Sequence, residues 1–334
     1  MHNLQHLHMV MLFGGMWLAL LASYALSPWL VRLCARVGMV GEITERSSHR
    51  KPTPHGGGLV FPLLATPLWV VLTWYWPLPF RGFLGVLALG GLLVAYVGWL
   101  DDRHELGAHV RLFAHLFVVA IALMLLPPMF DFMPLWAEKI LLMLGWGWFV
   151  NLYNFMDGAD GLATTQAIFM GVALAFIVPA FAPLGLLVAA VAWGFLRVNA
   201  PPAKVFLGDT GSTWLGFMLG GLYLLAATDD TFTVIWPLCT IPLVFCADAT
   251  STLLRRILQG HKPWQPHKTF WFHRYMALGR THMQLVRAVA WLNATLLIFA
   301  VVSLHFGVPP AGFLAGIVAM LGAAWYIRML EKRR

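Results

Sequence analysis

The sequence has little charge: Asp, Glu, Lys and Arg make up 11% of its 334 residues. A soluble domain carries about 25%, so there is too little charge here to face water on every side. That shortage excludes an ordinary soluble enzyme and argues against a nucleic-acid-binding domain, despite a formal net charge of +8. Cysteine is scarce as well. Cys34, Cys239 and Cys246 form no CxxC pair and no metal-ligand spacing, which excludes a disulfide-stapled scaffold and a thiolate zinc site. Internal repeats, low-complexity tracts and a linker between folded units are also missing, so a single membrane-embedded domain over 1–334 is expected. The segment up to His8 has no Lys or Arg and no small-residue cleavage site before a long apolar run. That run reads as a first membrane span, not as a removed signal peptide.

What the chain does have is hydrophobicity, 60% of its residues. Apolar runs near the ~20 residues that span a bilayer recur from end to end. Eleven can be drawn: 9–31, 57–77, 83–100, 112–129, 136–150, 162–179, 183–197, 211–228, 232–254, 285–306 and 310–328. The expected fold is an all-α, polytopic integral membrane protein with about 11 transmembrane helices. Of its 22 Lys and Arg, only Arg81 and Lys139 fall on one side of this arrangement. The positive-inside rule then places the N-terminus outside, the C-terminus in the cytoplasm, and the longer loops on the cytoplasmic face.

The acidic residues carry the chemistry. Asp131, Glu138, Asp229 and Asp230 read as solvated outer-loop residues, and Glu42, Glu45 and Glu331 as surface charges among basic neighbours. The other seven, Asp101, Asp102, Glu105, Asp157, Asp160, Asp209 and Asp248, gather at or near the cytoplasmic ends of spans. Unpaired carboxylates on one face repel, so metal or basic groups must offset them. Asp101 and Asp102 are adjacent on a helix, so one faces a site while its neighbour binds elsewhere. Asn151, Asn154, Asp157 and Asp160 recur every third residue, a spacing that drifts slowly around a helix and predicts one polar stripe, with Gly158 and Gly161 letting the backbone turn or approach a ligand closely. Phe206-Leu-Gly208-Asp209-Thr210-Gly211-Ser212 enters a span, where Asp209 is either a helix cap or part of a metal-phosphate site.

Two loops supply cations. His49-Arg50-Lys51-Pro-Thr-Pro-His55-Gly-Gly-Gly58 sets basic residues beside three glycines, a pattern suited to phosphate. The last inner loop mixes Arg255, Arg256, His261, His267, Lys268, His273 and Arg274 with aromatics, a composition that suits a nucleotide diphosphate and equally an interfacial anchor. The histidines His104, His109, His115, His282 and His305 show no ligand spacing.

Taken together, Gly98-Trp-Leu-Asp101-Asp102, Asn154-Phe-Met-Asp157-Gly-Ala-Asp160-Gly-Leu-Ala and Phe206-Leu-Gly-Asp209-Thr-Gly-Ser resemble the polyprenyl-phosphate N-acetylhexosamine-1-phosphate transferase family (glycosyltransferase family 4). The loop at Arg50 resembles its O-antigen-initiating branch. The resemblance covers most of the chain, from Arg50 to His273. It implies transfer of N-acetylhexosamine-1-phosphate, from a UDP sugar carrying GlcNAc or a 6-deoxy amino sugar, to undecaprenyl phosphate with release of UMP. It also implies a Mg²⁺ requirement, with Mn²⁺ as a substitute, and a bacterial inner-membrane location with a periplasmic N-terminus. By position, Asp101 and Asp102 match an aspartate pair tied to Mg²⁺ and lipid-phosphate activation, Asp157 and Asp160 a second acidic motif, and Asp209 a metal-binding aspartate. Lys51 falls in the family's basic loop. The family's histidine cluster is reduced here to His267 and His273, with Phe270 and Phe272 where further histidines are expected.

The substrate-binding candidates are thus Arg50, Lys51, His55, Asn151, Asn154, Lys204, His267 and His273, with Arg50, Lys51, Lys204 and His267 aimed at a diphosphate. The expected partners are a UDP-amino sugar, undecaprenyl phosphate and the lipid bilayer, and not nucleic acid; a homodimer is left open. Two competing classes are a membrane transporter and a non-catalytic subunit of a polysaccharide assembly complex. A transporter places carboxylates near the bilayer midplane, whereas these gather at one face; a non-catalytic subunit has no need of the Asn/Asp pattern.

Overall fold

The computed structural model describes residues 2–39, 53–228, 230–262 and 267–333, with side chains from residue 12 onward. Among the described residues there are thirteen α-helices and no β-strand. They are α1 (His2–Arg36), α2 (Thr66–Tyr75), α3 (Arg81–His104), α4 (Ala108–Leu123), α5 (Leu135–Phe155), α6 (Leu162–Ile177), α7 (Ala182–Asn199), α8 (Gly208–Ala227), α9 (Thr231–Thr240), α10 (Leu243–Leu258), α11 (Trp271–Ala277), α12 (His282–His305) and α13 (Pro309–Lys332).

The protein is an all-α polytopic membrane protein. Six stretches among the described residues are long and apolar enough to cross a bilayer: Leu12–Arg36, Gly57–Tyr75, Arg81–His104, Pro179–Asn199, His282–His305 and Pro309–Lys332. The pair α9 and α10, bent by 74° at a short break, makes a seventh if it is one span. Each of the eleven apolar runs lies on a helix or a helix pair. The run 232–254 contains the break, which falls at Pro242, a residue without a backbone N–H to continue the helix. The carbonyl of Ile241 at the break accepts a hydrogen bond from Gln166 Nε2 at 3.1 Å.

Helix α8 is buried along nearly its whole length and packs on α3 and α5, while α7 packs on α1 and α6. In a bilayer such contacts come from close packing and not from expelling water, which is why small residues line them. Gly98 of α3 shows one such close approach at the functional end. A Cβ there would lie 2.5 Å from the Asp209 carbonyl oxygen and 2.8 Å from the Thr210 nitrogen. The end of α3 and the start of α8 therefore touch backbone to backbone.

One acid departs from its expected place. Glu138 is not a solvated loop residue: it is 0% exposed and accepts hydrogen bonds from the N–H groups of Met129 and Phe130, both at 3.0 Å. Lys139 Nζ lies 3.3 Å from its other oxygen. Its task is to satisfy the turn between α4 and α5.

The contact at Gly98 yields a test. Gly98→Ala has only backbone to push against, so overpacking should cost about 1–3 kcal/mol and lower the unfolding midpoint in detergent. An alanine variant melting like the wild type would show that α3 and α8 are not held this close.

Candidate active site

The functional end is built on the last turn of α3. Adjacent helical residues point about 100° apart, and Asp101 and Asp102 diverge accordingly. Asp102 turns to α8: its Oδ1 accepts the Asp209 N–H at 2.9 Å, and its Oδ2 accepts the Thr210 N–H at 3.1 Å and the Thr210 hydroxyl at 2.7 Å. The residue at the helix's own capping position, Leu207, offers no side-chain cap. A carboxylate from a neighbouring helix thus satisfies the first N–H groups of α8 and faces its positive end. His55 Nε2 donates to the Asp102 carbonyl at 2.7 Å, which ties the glycine loop to the same turn.

Asp101 turns the other way. It accepts from the Leu106 N–H at 2.6 Å and from Arg111 Nη1. The same Arg111 nitrogen donates to Asp209 Oδ2 at 2.9 Å, so one guanidinium bridges two carboxylates. Asn154 Nδ2 also donates to Asp209 Oδ2, at 3.1 Å, and the Ser212 hydroxyl donates to Asn154 Oδ1 at 2.7 Å, fixing the amide. Asp157 completes the cluster by accepting from the Gly208 N–H. Burial, and then the charges of Asp209 and Asp102, push its carboxyl well above the ordinary carboxylate range. A cation here would relieve that repulsion.

The predicted stripe does not run on as a helix. Helix α5 ends at Phe155, and the chain turns through Gly161 at φ +69°, a left-handed conformation that glycine adopts without strain. Asn154 and Asp157 stay with Asp209, whereas Asn151 donates to its own helix at Gly147 O, 2.8 Å away. Asp160 accepts from the Ala203 N–H at 3.0 Å, and its own N–H donates to His282 Nδ1 at 3.1 Å; it fastens the 156–161 turn to the next loop and to α12. Two of the three glycines, Gly57 and Gly58, depart from the phosphate-cradle expectation too. The N–H groups of Gly57 and Gly58 donate to Phe206 O and Leu207 O, both at 2.9 Å, and a Cβ on Gly58 would lie 2.4 Å from the Gly211 Cα. They let two backbones meet. Lys204 is exposed on its loop, and Arg50 and Lys51 lie outside the described residues.

A second wall comes from the short helix α11. Asp248 of α10 accepts from the N–H groups of Trp271 at 2.7 Å and Phe272 at 3.1 Å. Phe272 presses on Gly158 beside Asp157, with His273 against it at a 4.0 Å ring separation. His273 Nδ1 is buried without a hydrogen-bond partner. His267 packs on Phe270 at 4.6 Å, and its Nδ1 accepts from the Thr269 N–H at 3.3 Å. Arg256 is only 9% exposed and has an unpartnered Nε. Buried charges are normally paired, so this guanidinium suits an anion. Burial, then the charges of Arg256 and Arg255, lower His267 to about 4; burial, then His267 and Lys268, lower His273 to about 4.

Sequence reasoning missed Arg111 and His282, and read the hydroxyls of Thr210 and Ser212 only as part of an anion or metal-phosphate site. The two hydroxyls stand inside the quoted motif, and Arg111 follows the aspartate pair closely enough to be a partner. No group of three or more His, Cys, Asp or Glu side chains arranged to hold a metal occurs among the described residues. Mg²⁺ is often held by one or two carboxylates with substrate phosphates and water; the oxygens of Asp209 and Asp101 fit that kind of site.

Two expectations follow from this geometry. Asp102→Ala leaves the first N–H groups of α8 without their acceptor and should cost about 1–3 kcal/mol, read as a lower unfolding midpoint, with a smaller loss for Thr210→Val. An Asp102→Ala midpoint equal to wild type would remove the cap. The histidines give a pH dependence. Between pH 6.5 and about 4 the unfolded chain binds protons at His267 and His273 that the fold refuses, so stability should fall as pH drops through that window. A His267→Gln, His273→Gln double variant should show a shallower decline; an unchanged slope would count against these two groups.

The chain matches the model of glycosyl transferase family 4 over residues 84–227. It is 28% identical over 309 residues to a probable undecaprenyl-phosphate N-acetylglucosaminyl 1-phosphate transferase of Bacillus subtilis, covering 85% of this chain and 82% of the relative. It is 29% identical to a decaprenyl-phosphate N-acetylglucosaminephosphotransferase of Mycolicibacterium smegmatis, over 80% of this chain and 76% of that one. A phospho-N-acetylmuramoyl-pentapeptide-transferase of Heliobacterium modesticaldum is 30% identical over 278 residues, 72% of this chain and 81% of the relative. With motifs, fold and site geometry pointing the same way, the chain belongs to glycosyl transferase family 4.

Proposed function

We propose that this protein transfers an N-acetylhexosamine-1-phosphate from a UDP sugar to undecaprenyl phosphate, releasing UMP. The observation that carries the reading is the meeting of two surfaces. Arg111 and Asn154 of the Asp101–Arg111–Asp209 cluster stand next to Leu112 on α4 and one turn from Asn151 on α5, residues that line a groove of about 760 Å³ between α4, α5 and α10 with Leu116, Leu144, Trp148, Phe155 and Leu253. An ionic site beside an apolar groove suits a lipid phosphate, and Arg256 and His273 on the other wall suit a nucleotide diphosphate. Relatives named for undecaprenyl or decaprenyl phosphate and for N-acetylglucosamine support the same chemistry.

In the reaction an oxygen of the lipid phosphate attacks the β-phosphorus of the donor, and the bond from that phosphorus to the bridging oxygen breaks, leaving UMP. The work is positioning and charge neutralisation. Arg111 and Arg256 are the fixed cations that draw two anions together, and Asn154, held by Ser212, orients Asp209. Asp209 and Asp101 would hold Mg²⁺, which supplies further charge neutralisation on the phosphate oxygens when bound. Asp102 acts by holding α8, and needs no role as a base because a phosphomonoester with a second pKa near ~6 is largely ionised at neutral pH. The setting we infer is the bacterial inner membrane, with the N-terminus periplasmic, the C-terminus cytoplasmic, and the product starting O-antigen or a related envelope polysaccharide.

The test is UMP release by the detergent-purified full chain with undecaprenyl phosphate, Mg²⁺ and a panel of UDP-amino sugars. We expect EDTA-sensitive UMP formation with one donor, and a loss of at least about 100-fold in Asp209→Asn, the scale of removing one key electrostatic group. An Asp209→Asn enzyme at the wild-type rate would take Asp209 out of the site. Silence across a broad panel, under conditions where an active relative turns over, would reject the transferase reading.

A further inference from the structure

Helix α11 is too short to hold a position by itself, since isolated helices below ~12 residues are marginal in water. It has seven residues and carries Phe272 and His273 against the Asp157–Gly158 turn. Three attachments fix it. Phe272 is buried, only 3% exposed; Asp248 caps its first N–H groups; and Arg274 forms a two-point ion pair with Glu331 near the end of α13, Nε donating to Oε1 at 2.7 Å and Nη2 to Oε2. The first two lie at its N-terminal end. The third ties its remaining length to a membrane helix, alongside the partly buried Tyr275 and Met276, which pack against the core. It is also the parallel, two-bond geometry that gives an Arg–carboxylate pair direction as well as attraction.

From this we infer that Glu331 is a positioning residue: through Arg274 it clamps α11 to the C-terminal helix and thereby fixes His273 on the donor wall of the site. The role rests on the proposed reaction, in which that wall receives the sugar nucleotide. Glu331 touches neither the carboxylate cluster nor the apolar groove, so its loss should act on one substrate and not on both.

The experiment uses the purified full chain and compares wild type, Glu331→Gln, and the exchanged pair Arg274→Glu with Glu331→Arg. Amide hydrogen exchange over residues 271–278 reads the clamp directly, and steady-state kinetics read its consequence. In Glu331→Gln, exchange in this segment should rise and KM for the sugar nucleotide should increase about 3- to 5-fold, the upper part of the range expected of one partly exposed ion pair. The value of kcat and the KM for undecaprenyl phosphate should stay within about twofold. The exchanged pair should recover part of both losses, which a merely destabilised fold would not do. Unchanged exchange in Glu331→Gln would overturn the clamp. Raised exchange with an unchanged donor KM, or equal losses for both substrates, would overturn the positioning role. A wild-type protein that turns over no sugar nucleotide would defeat the transferase reading instead, and the exchange data would then decide the clamp alone.

Discussion

The carboxylate of Asp102 on the start of α8 is the contact that the rest of the site depends on. It fixes where α8 begins and how the helix meets α3, and so it sets the position of Asp209 one residue into that helix. The Gly98 contact with the Asp209 carbonyl makes the arrangement rigid, because neither backbone can approach more closely. Once Asp102 is committed to α8, helical geometry turns Asp101 toward Arg111 and through it toward Asp209. The adjacent pair thus divides its work: one carboxylate organises the scaffold and its neighbour faces the chemistry. The positive end of α8 is thereby taken by a carboxylate of the protein itself, and the site's free cationic character has to come from side chains.

Capping from a distance is a repeated device. Asp248 of α10 serves α11, and Glu138 serves the N–H groups of Met129 and Phe130 before α5. Unsatisfied backbone groups are expensive where water is scarce, and a carboxylate accepts more than one N–H at once. In a chain with 14 acidic residues, several are therefore structural, and their conspicuous placement at helix ends has that cause. What remains for chemistry is a smaller set, Asp101, Asp157 and Asp209, balanced by Arg111. The excess of negative charge favours a cation, while the buried Arg256 favours an anion, and in the proposed reaction a metal-bound diphosphate would answer both.

The sequence made the membrane class and the helical segments readable, because apolar runs of span length have one interpretation in a chain so poor in charge. It also pointed to Asn154, Asp157 and Asp209, which the fold brings together. The rest depended on things a linear pattern does not carry. The three-residue period through Asn151, Asn154, Asp157 and Asp160 assumed a continuing helix, yet α5 ends at Phe155 and sends Asp160 to Ala203 and His282. Arg111 reads as one more topological charge among 22 basic residues; only the tight turn between α3 and α4, with Glu105 at φ +48°, brings it back to Asp101. The glycines at 56–58 suit a phosphate loop and a backbone crossing equally well in sequence. Helix α11 is too short to produce any period.

The aromatic rings at the start of α11, Phe270 just before it and Phe272 within it, explain how this wall handles charge. Phe270 stacks on Phe272 at 5.7 Å and packs on His267, and Phe272 lies against His273. Rings in place of polar side chains leave the two histidines desolvated, and with the nearby cations this holds both near 4 and neutral at physiological pH. Neutral imidazoles can orient a phosphate oxygen or a sugar hydroxyl, but they bring no net charge to it. The positive charge on this side comes from the cations around them, Arg255, Lys268 and the buried Arg256, and a guanidinium stays protonated at every relevant pH. In the proposed reaction a wall built this way separates two functions that a row of charged histidines would combine: the cations would attract the anion, while the histidines and phenylalanines would shape the pocket that receives it.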